Sequence, residues 1–235
     1  DYDFESIPMD LVRRVLASES KDSSTNEVSE KSGKLKLIGT GTGFFVNSNY
    51  IVTADHVLRS SNAGEICDSV KIIWRHDVYE TEIVGMDLTN DLALLKTKKK
   101  FSEAAVLRKY PRLRLGDTAV NFGFPLTGEL STGAKLTEGK VNALAGYNND
   151  SAQIQYDAAT QFGNSGGPVL DQSGNVIGVV RAKLNDATTQ SVNFATKVRS
   201  LEGFLEASNI DAVSELVGTM EDQRQFEINI KLISL

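Results

Sequence analysis

The chain predicts an all-β protein, a sandwich or a barrel, on three observations. Short runs rich in Val, Ile, Phe, Tyr and Thr recur from Leu35 to Ala195, broken by Gly and Asn. Several of these runs alternate apolar and polar residues, the period of a half-buried strand. Helical spacing is confined to the two ends of the chain and its tail.

The elements follow in order. Residues 8–18, PMDLVRRVLAS, carry Leu11, Val12, Val15 and Leu16 at helical spacing behind Pro8. KDSSTNEVSEKSGK (21–34) is polar and reads as a loop. From Leu35 the stretch LKLIGTGTGFFVNSNYIVTADHVL opens the β region. VKIIW (70–74), YETEIVGM (79–86), LALLK (92–96), TAVNFGF (118–124) and KLTEGKVNAL (135–144) continue it. AQIQYDA (152–158), GPVL (167–170), NVIGVVRA (175–182) and SVNFA (191–195) complete it. VRSLEGFLEA (198–207) has a helical stripe at Val198, Leu201, Phe204 and Leu205. In the tail, 208–235, Val213, Leu216, Val217 and Met220 share a helical face. Phe226, Ile228, Ile230 and Leu232 alternate like a strand. A terminal helix and strand packed on the body is the plain expectation; a regulatory or oligomerising segment is the sharper one.

Composition narrows the function. With 235 residues, 40% hydrophobic and 24% charged, the chain is an ordinary globular one. A net charge of −6 argues against nucleic-acid binding. No apolar run approaches the ~20 residues of a membrane span. One cysteine, Cys67, allows no intrachain disulfide. Two distant histidines and that cysteine make no metal cluster, so neither metal nor cofactor is expected. GTGTGFF (39–45) has G-x-G spacing but no helix behind it, which excludes a dinucleotide site. The basic residues Lys96, Lys98, Lys99, Lys100, Arg108, Lys109, Arg112 and Arg114 read as a solvated loop.

Three residues carry a chemistry. His56 follows the apolar run Tyr50-Ile51-Val52, a strand end that can hold a general base still. His76 sits in a polar turn beside Arg75 and Asp77 and reads as structural. Asp91 directly precedes the apolar run LALL, where an unpaired carboxylate is costly. It is the expected orienter of the imidazole, with Asp87 its rival. Ser165 lies in QFGNSGGPVL, among glycines that let backbone N–H groups share a small pocket. A serine hydroxyl needs a base in reach, and His56 supplies one. The amides of Gly163 and Ser165, within the loop Gly163-Asn164-Ser165, are the candidate oxyanion hole.

GTGFFVNSNYIVTADHVL, NDLALLK, LRLGDTAVNFGFP, IQYDAATQFGNSGGPVLDQSGNVIGVV and VNFATKV resemble the trypsin-like, chymotrypsin-fold serine peptidases, the HtrA/Deg branch above all. The resemblance covers roughly 37–207. It implies two six-stranded antiparallel β-barrels with the site in the cleft between them. The first barrel is expected over about 35–125, with His56 and Asp91; the second over about 126–200, with Ser165. It implies polypeptide substrates and homo-oligomers, trimers in that branch. It also favours an extracytoplasmic compartment, while an intracellular one stays open. The 28 residues from Ser208 are too few for the PDZ domain of that branch, so the expectation is a protease domain without one. Phe162 stands where the family usually has proline, and Asn164 where the digestive branch has an acid. Six residues before Ser165, at the expected floor of the P1 pocket, stands Ala159, followed by Thr160. The substrate wall is expected at Val180, Arg181 and Ala182, pairing with substrate backbone. The resemblance thus implies a serine endopeptidase preferring small to medium aliphatic P1 residues. A latent protease-fold module that holds peptides is the alternative.

Overall fold

Alternation and β-branched content become twelve strands in a computed structural model of the chain. It describes residues 36–59, 66–67, 69–75, 77–124, 134–183, 192–210 and 227–234. The stripes at 8–18 and 211–220, His76 and the N-terminal segment lie outside the described residues. The strands are β1 (Lys36–Phe45), β2 (Tyr50–Thr53), β3 (Ser69–Trp74), β4 (Asp77–Asp87), β5 (Leu92–Thr97) and β6 (Thr118–Gly123). They continue as β7 (Lys135–Ala143), β8 (Gln153–Tyr156), β9 (Pro168–Leu170), β10 (Val176–Lys183), β11 (Asn193–Lys197) and β12 (Glu227–Ser234).

Two closed six-stranded barrels result. Barrel 1 runs β1-β12-β3-β4-β5-β2 and barrel 2 runs β10-β11-β8-β7-β6-β9, every neighbouring pair antiparallel. Two memberships differ from the order in sequence. Strand 118–123, expected with the first barrel, belongs to barrel 2. The alternating stretch of the C-terminal tail, 227–234, takes the vacated sixth place in barrel 1. Backbone ladders form between any residue types, so local sequence could not show this exchange. β12 is paired on both edges. Gly41, Thr42 and Gly43 of β1 face Ile230, Asn229 and Ile228, and Ile72 of β3 faces Ile230.

The barrels differ in what fills them. Barrel 1 holds Phe44, Ile51, Val52, Val70, Ile72, Leu92 and Leu94. Its cluster runs on through the inter-barrel connection at Phe101, Ala105 and Leu107 to Leu201 and Leu205. Phe45 meets Trp74 edge-on at 5.5 Å, and Phe101 lies 4.4 Å from Phe45. Barrel 2 is filled by smaller side chains, Ala119, Val141, Val169, Ile177 and Ala195, around Ile154 and the fully buried Tyr156. Burial pushes the Tyr156 phenol up from its ordinary value.

Helix α1 (Val198–Ala207) forms where the stripe predicts it. Leu201 and Leu205, four apart, are its buried face. Each contributes about 1.5–3 kcal/mol by burial. Asn209, at φ 55°, takes the left-handed conformation that ends helices. Much of the basic stretch is paired internally. Lys99 Nζ donates to Tyr79 Oη at 2.6 Å, and Arg108 bonds Asp117 at 2.9 Å. Among the described residues no helix is long and apolar enough to cross a membrane.

Candidate active site

His56 sits in a one-turn 3-10 helix, Asp55–Leu58, that leaves the end of β2. Asp91 Oδ1 accepts its main-chain N–H at 2.9 Å, and Asp91 Oδ2 accepts from its ring Nδ1 at 2.8 Å. One carboxylate thus fixes both the backbone and the ring. A carboxylate can only accept, so the proton is on Nδ1 and Nε2 is left as the acceptor. The imidazole is 46% exposed and the Asp91 side chain 10%, so the ring opens outward while the carboxylate stays covered. Asp91 holds φ at 54°, a left-handed turn that Asp tolerates and that tips its carboxylate back toward His56. The neighbouring acids are occupied elsewhere. Asp87 caps its own turn, bonding Asn90 Nδ2 at 2.6 Å and the Asn90 N–H at 3.0 Å. Asp55 is gripped by Arg59 through two nitrogens, at 2.5 and 3.0 Å.

The loop that carries Ser165 is a tight turn followed by β9. Asn164 N–H donates to Gln161 C=O at 3.1 Å, with Gly163 at φ 96°. That combination is a type II turn, whose third residue needs the positive φ that glycine supplies. Asn164 therefore contributes no free amide to an oxyanion hole, although it sits in the predicted loop. The N–H groups of Gly163 and Ser165 have no acceptor among the described residues. Ser165 is half-buried, and Phe162 beside it is 76% exposed. Ser165 Oγ and His56 Nε2 make no hydrogen bond with each other.

Each barrel holds the other's loop. Thr42 of β1 donates its N–H to Ser165 C=O at 2.9 Å and its hydroxyl to Gly163 C=O at 2.6 Å. Thr196 of β11 donates its hydroxyl to Asn90 C=O at 2.6 Å, one residue before Asp91. Neither threonine was singled out in the sequence. The only local signal for Thr42 was the GTGTG spacing. The glycines there make room: a Cβ on Gly41 would lie 2.6 Å from Val57 Cγ1 and 3.2 Å from Ser165 C=O. Gly166, at φ 81°, lets the loop pass against Thr53, Ala54 and the Thr42 carbonyl.

The predicted substrate residues fall into two groups. Ala159 is exposed, and beyond Val180, among the described residues, β10 is paired on one edge only, which leaves Arg181–Lys183 an open edge. Ala182 pairs with Phe194 on the other edge. Thr160 and Val180, by contrast, face inward. The Thr160 hydroxyl meets Tyr156 Oη and Asn121 Nδ2, each at 3.1 Å, and donates to Ala158 C=O. Val180 is in the barrel 2 core, and its carbonyl accepts the Gly166 N–H at 2.9 Å. Arg181 stands at a β-bulge and turns toward Asp91, with Nε 3.7 Å from Asp91 Oδ2.

Known proteins share this scaffold. The family described as Trypsin-like peptidase domain matches residues 41–179, more than half of the chain. A second family, the C-terminal region of flagellar basal body rod FlgEFG proteins, matches 201–234, a share too small to place the chain there. Uncharacterized protein y4bJ of Sinorhizobium fredii is 39% identical over 74% of this chain and 28% of its own length. Serine protease Do-like HtrA of Lactobacillus helveticus is 30% identical over 95% of this chain and 56% of its own length. This chain therefore spans little more than half of these relatives at most. The crystal structure of the serine endoprotease from Yersinia pestis shares the fold, with TM-score 0.59 and 24% identity over 72% of this chain and 57% of that one.

Proposed function

Because the chain belongs to the trypsin-like peptidase family, we propose that it is a serine endopeptidase of the HtrA type, acting through His56, Asp91 and Ser165. The observation that carries the reading is the double grip of Asp91 on His56, which leaves Nε2 free to accept a proton. Ser165 Oγ attacks the scissile carbonyl carbon and passes its proton to His56 Nε2. The carbonyl oxygen, now negative, takes the free N–H groups of Gly163 and Ser165. The C–N bond breaks, the amine leaves with the proton from His56, and an acyl-enzyme remains. Water, deprotonated by His56, attacks the ester and returns Ser165. Asp91 stabilises the imidazolium in both halves.

The substrate is an extended polypeptide lying along the open edge at Arg181–Lys183. With Ala159 and no acid at the pocket floor, the preferred P1 residue is small to medium and aliphatic. The HtrA resemblance extends the proposal to protein quality control, with unfolded segments as substrates.

A fluorophosphonate probe tests the reading. Wild-type protein is expected to label and to cleave an unfolded substrate, and Ser165→Ala to do neither. Folded wild-type protein that never labels would favour a peptide-holding module. A cleavage profile dominated by basic P1 residues would remove the proposed pocket.

A further inference from the structure

We infer that Thr42 is a positioning residue for the oxyanion hole, an inference that rests on the serine-endopeptidase reading. Every polar group of this buried side chain and its backbone is engaged. Its N–H donates to Ser165 C=O, and its C=O accepts the Thr53 hydroxyl at 2.9 Å. Its hydroxyl oxygen accepts the Phe124 N–H at 3.0 Å. That bond fixes the direction of the hydroxyl, because a carbonyl can only accept: the proton points at Gly163 C=O, 2.6 Å away.

The consequence is geometric. The two residues with free N–H groups, Gly163 and Ser165, are the two whose carbonyls Thr42 holds. Pinning the carbonyl of Gly163 limits its rotation, and the type II turn then fixes where its N–H points. The backbone around this side chain is packed tightly against it. A Cβ on Gly123 would lie 2.9 Å from Thr42 Oγ1, and one on Gly167 would lie 3.0 Å from Thr42 Cγ2. Thr42 itself is 0% exposed, so no water can replace its hydroxyl without displacing a neighbour.

A donor that must meet charge only in the transition state affects turnover more than binding. Thr42→Val keeps the shape and removes the donor, while Thr42→Ser keeps the donor. In the full chain, Thr42→Val is expected to lower kcat by about 10- to 100-fold, with KM within about twofold. Fluorophosphonate labelling should slow in parallel, and Thr42→Ser should stay within about threefold of wild type. Should the valine variant fail to fold, Thr42→Cys, a weak donor of similar size, is expected to show the same fall. A folded valine or cysteine variant with wild-type kcat overturns the inference, as does a loss confined to KM. Wild-type protein that neither labels nor cleaves defeats the peptidase reading itself, and this role with it.

Discussion

Barrel 2 closes on strands that follow one another from residue 118 to 197, whereas barrel 1 waits for a strand that arrives after the whole of barrel 2. The cost of bringing distant segments together grows slowly with separation, by about 0.6 kcal/mol per doubling, so such closure is affordable at equilibrium. What changes is dependence. β1 pairs with β2 through only Phe44 and Phe45, but with β12 from Lys36 to Phe44. The stretch of β1 that β12 covers includes Gly41 and Thr42, which hold the Ser165 loop. The barrel that holds His56 is thus completed by the strand 227–234, and through Thr42 it also braces the Ser165 loop of the other barrel.

The sharpest way to break this asymmetry is Ile230→Pro. Position 230 is paired on both sides, and proline has no N–H to give a central strand. A loss on the order of 3 kcal/mol is expected. Urea unfolding followed by the single tryptophan, Trp74 on the neighbouring β3, reads barrel 1 directly. An unchanged midpoint would mean that barrel 1 closes without this strand.

Two glycines of equal φ sharpen the comparison next. Gly166 and Gly116 both hold φ at 81°. A Cβ on Gly166 would strike Thr53, the Thr42 carbonyl and Ala54 N, whereas one on Gly116 meets nothing within 4 Å. Gly116→Ala is expected to cost about 1 kcal/mol, for the positive φ alone. Gly166→Ala should cost at least about 1 kcal/mol more and abolish probe labelling, because the crowding lies between the barrels. Equal thermal shifts would show that the interface yields.

The smallest effect is expected at Asp117, just before β6. Burial alone would raise its carboxyl, but the Arg114 N–H and the Arg108 guanidinium hold it below the ordinary range. A lowered value in the folded state means stabilisation that is present above the unfolded value, about 3.9, and lost as pH falls through the lower folded one. Asp117→Asn should therefore cost about 1 kcal/mol at pH 7, and the gap should close as pH falls through the lowered folded-state value. A gap constant from pH 7 to 2 would assign the loss to packing.

Much of this molecule was legible residue by residue. Strand periods, the α1 stripe and the conjunction of His56, Asp91 and a glycine-framed Ser165 are short-range patterns, set by side-chain chemistry and chain geometry that local sequence carries. The identity of the orienting acid was harder, since Asp87 and Asp91 look alike in sequence. Only the fold shows Asp87 capping its own turn while Asp91 grips His56. Thr160 and Val180, which the resemblance put on the substrate side, turn inward: Thr160 bonds Tyr156 and the distant Asn121, and Val180 accepts the Gly166 N–H, pairings that local sequence does not show. By itself the sequence determined the β architecture and singled out His56, Asp91 and Ser165 as the groups of the proposed chemistry. The tertiary structure alone decided that strand 227–234 closes barrel 1 and that Thr42 and Thr196 brace loops of opposite barrels. Those contacts join main-chain groups and common hydroxyls across long separations, and such groups leave no pattern in the chain until it is folded.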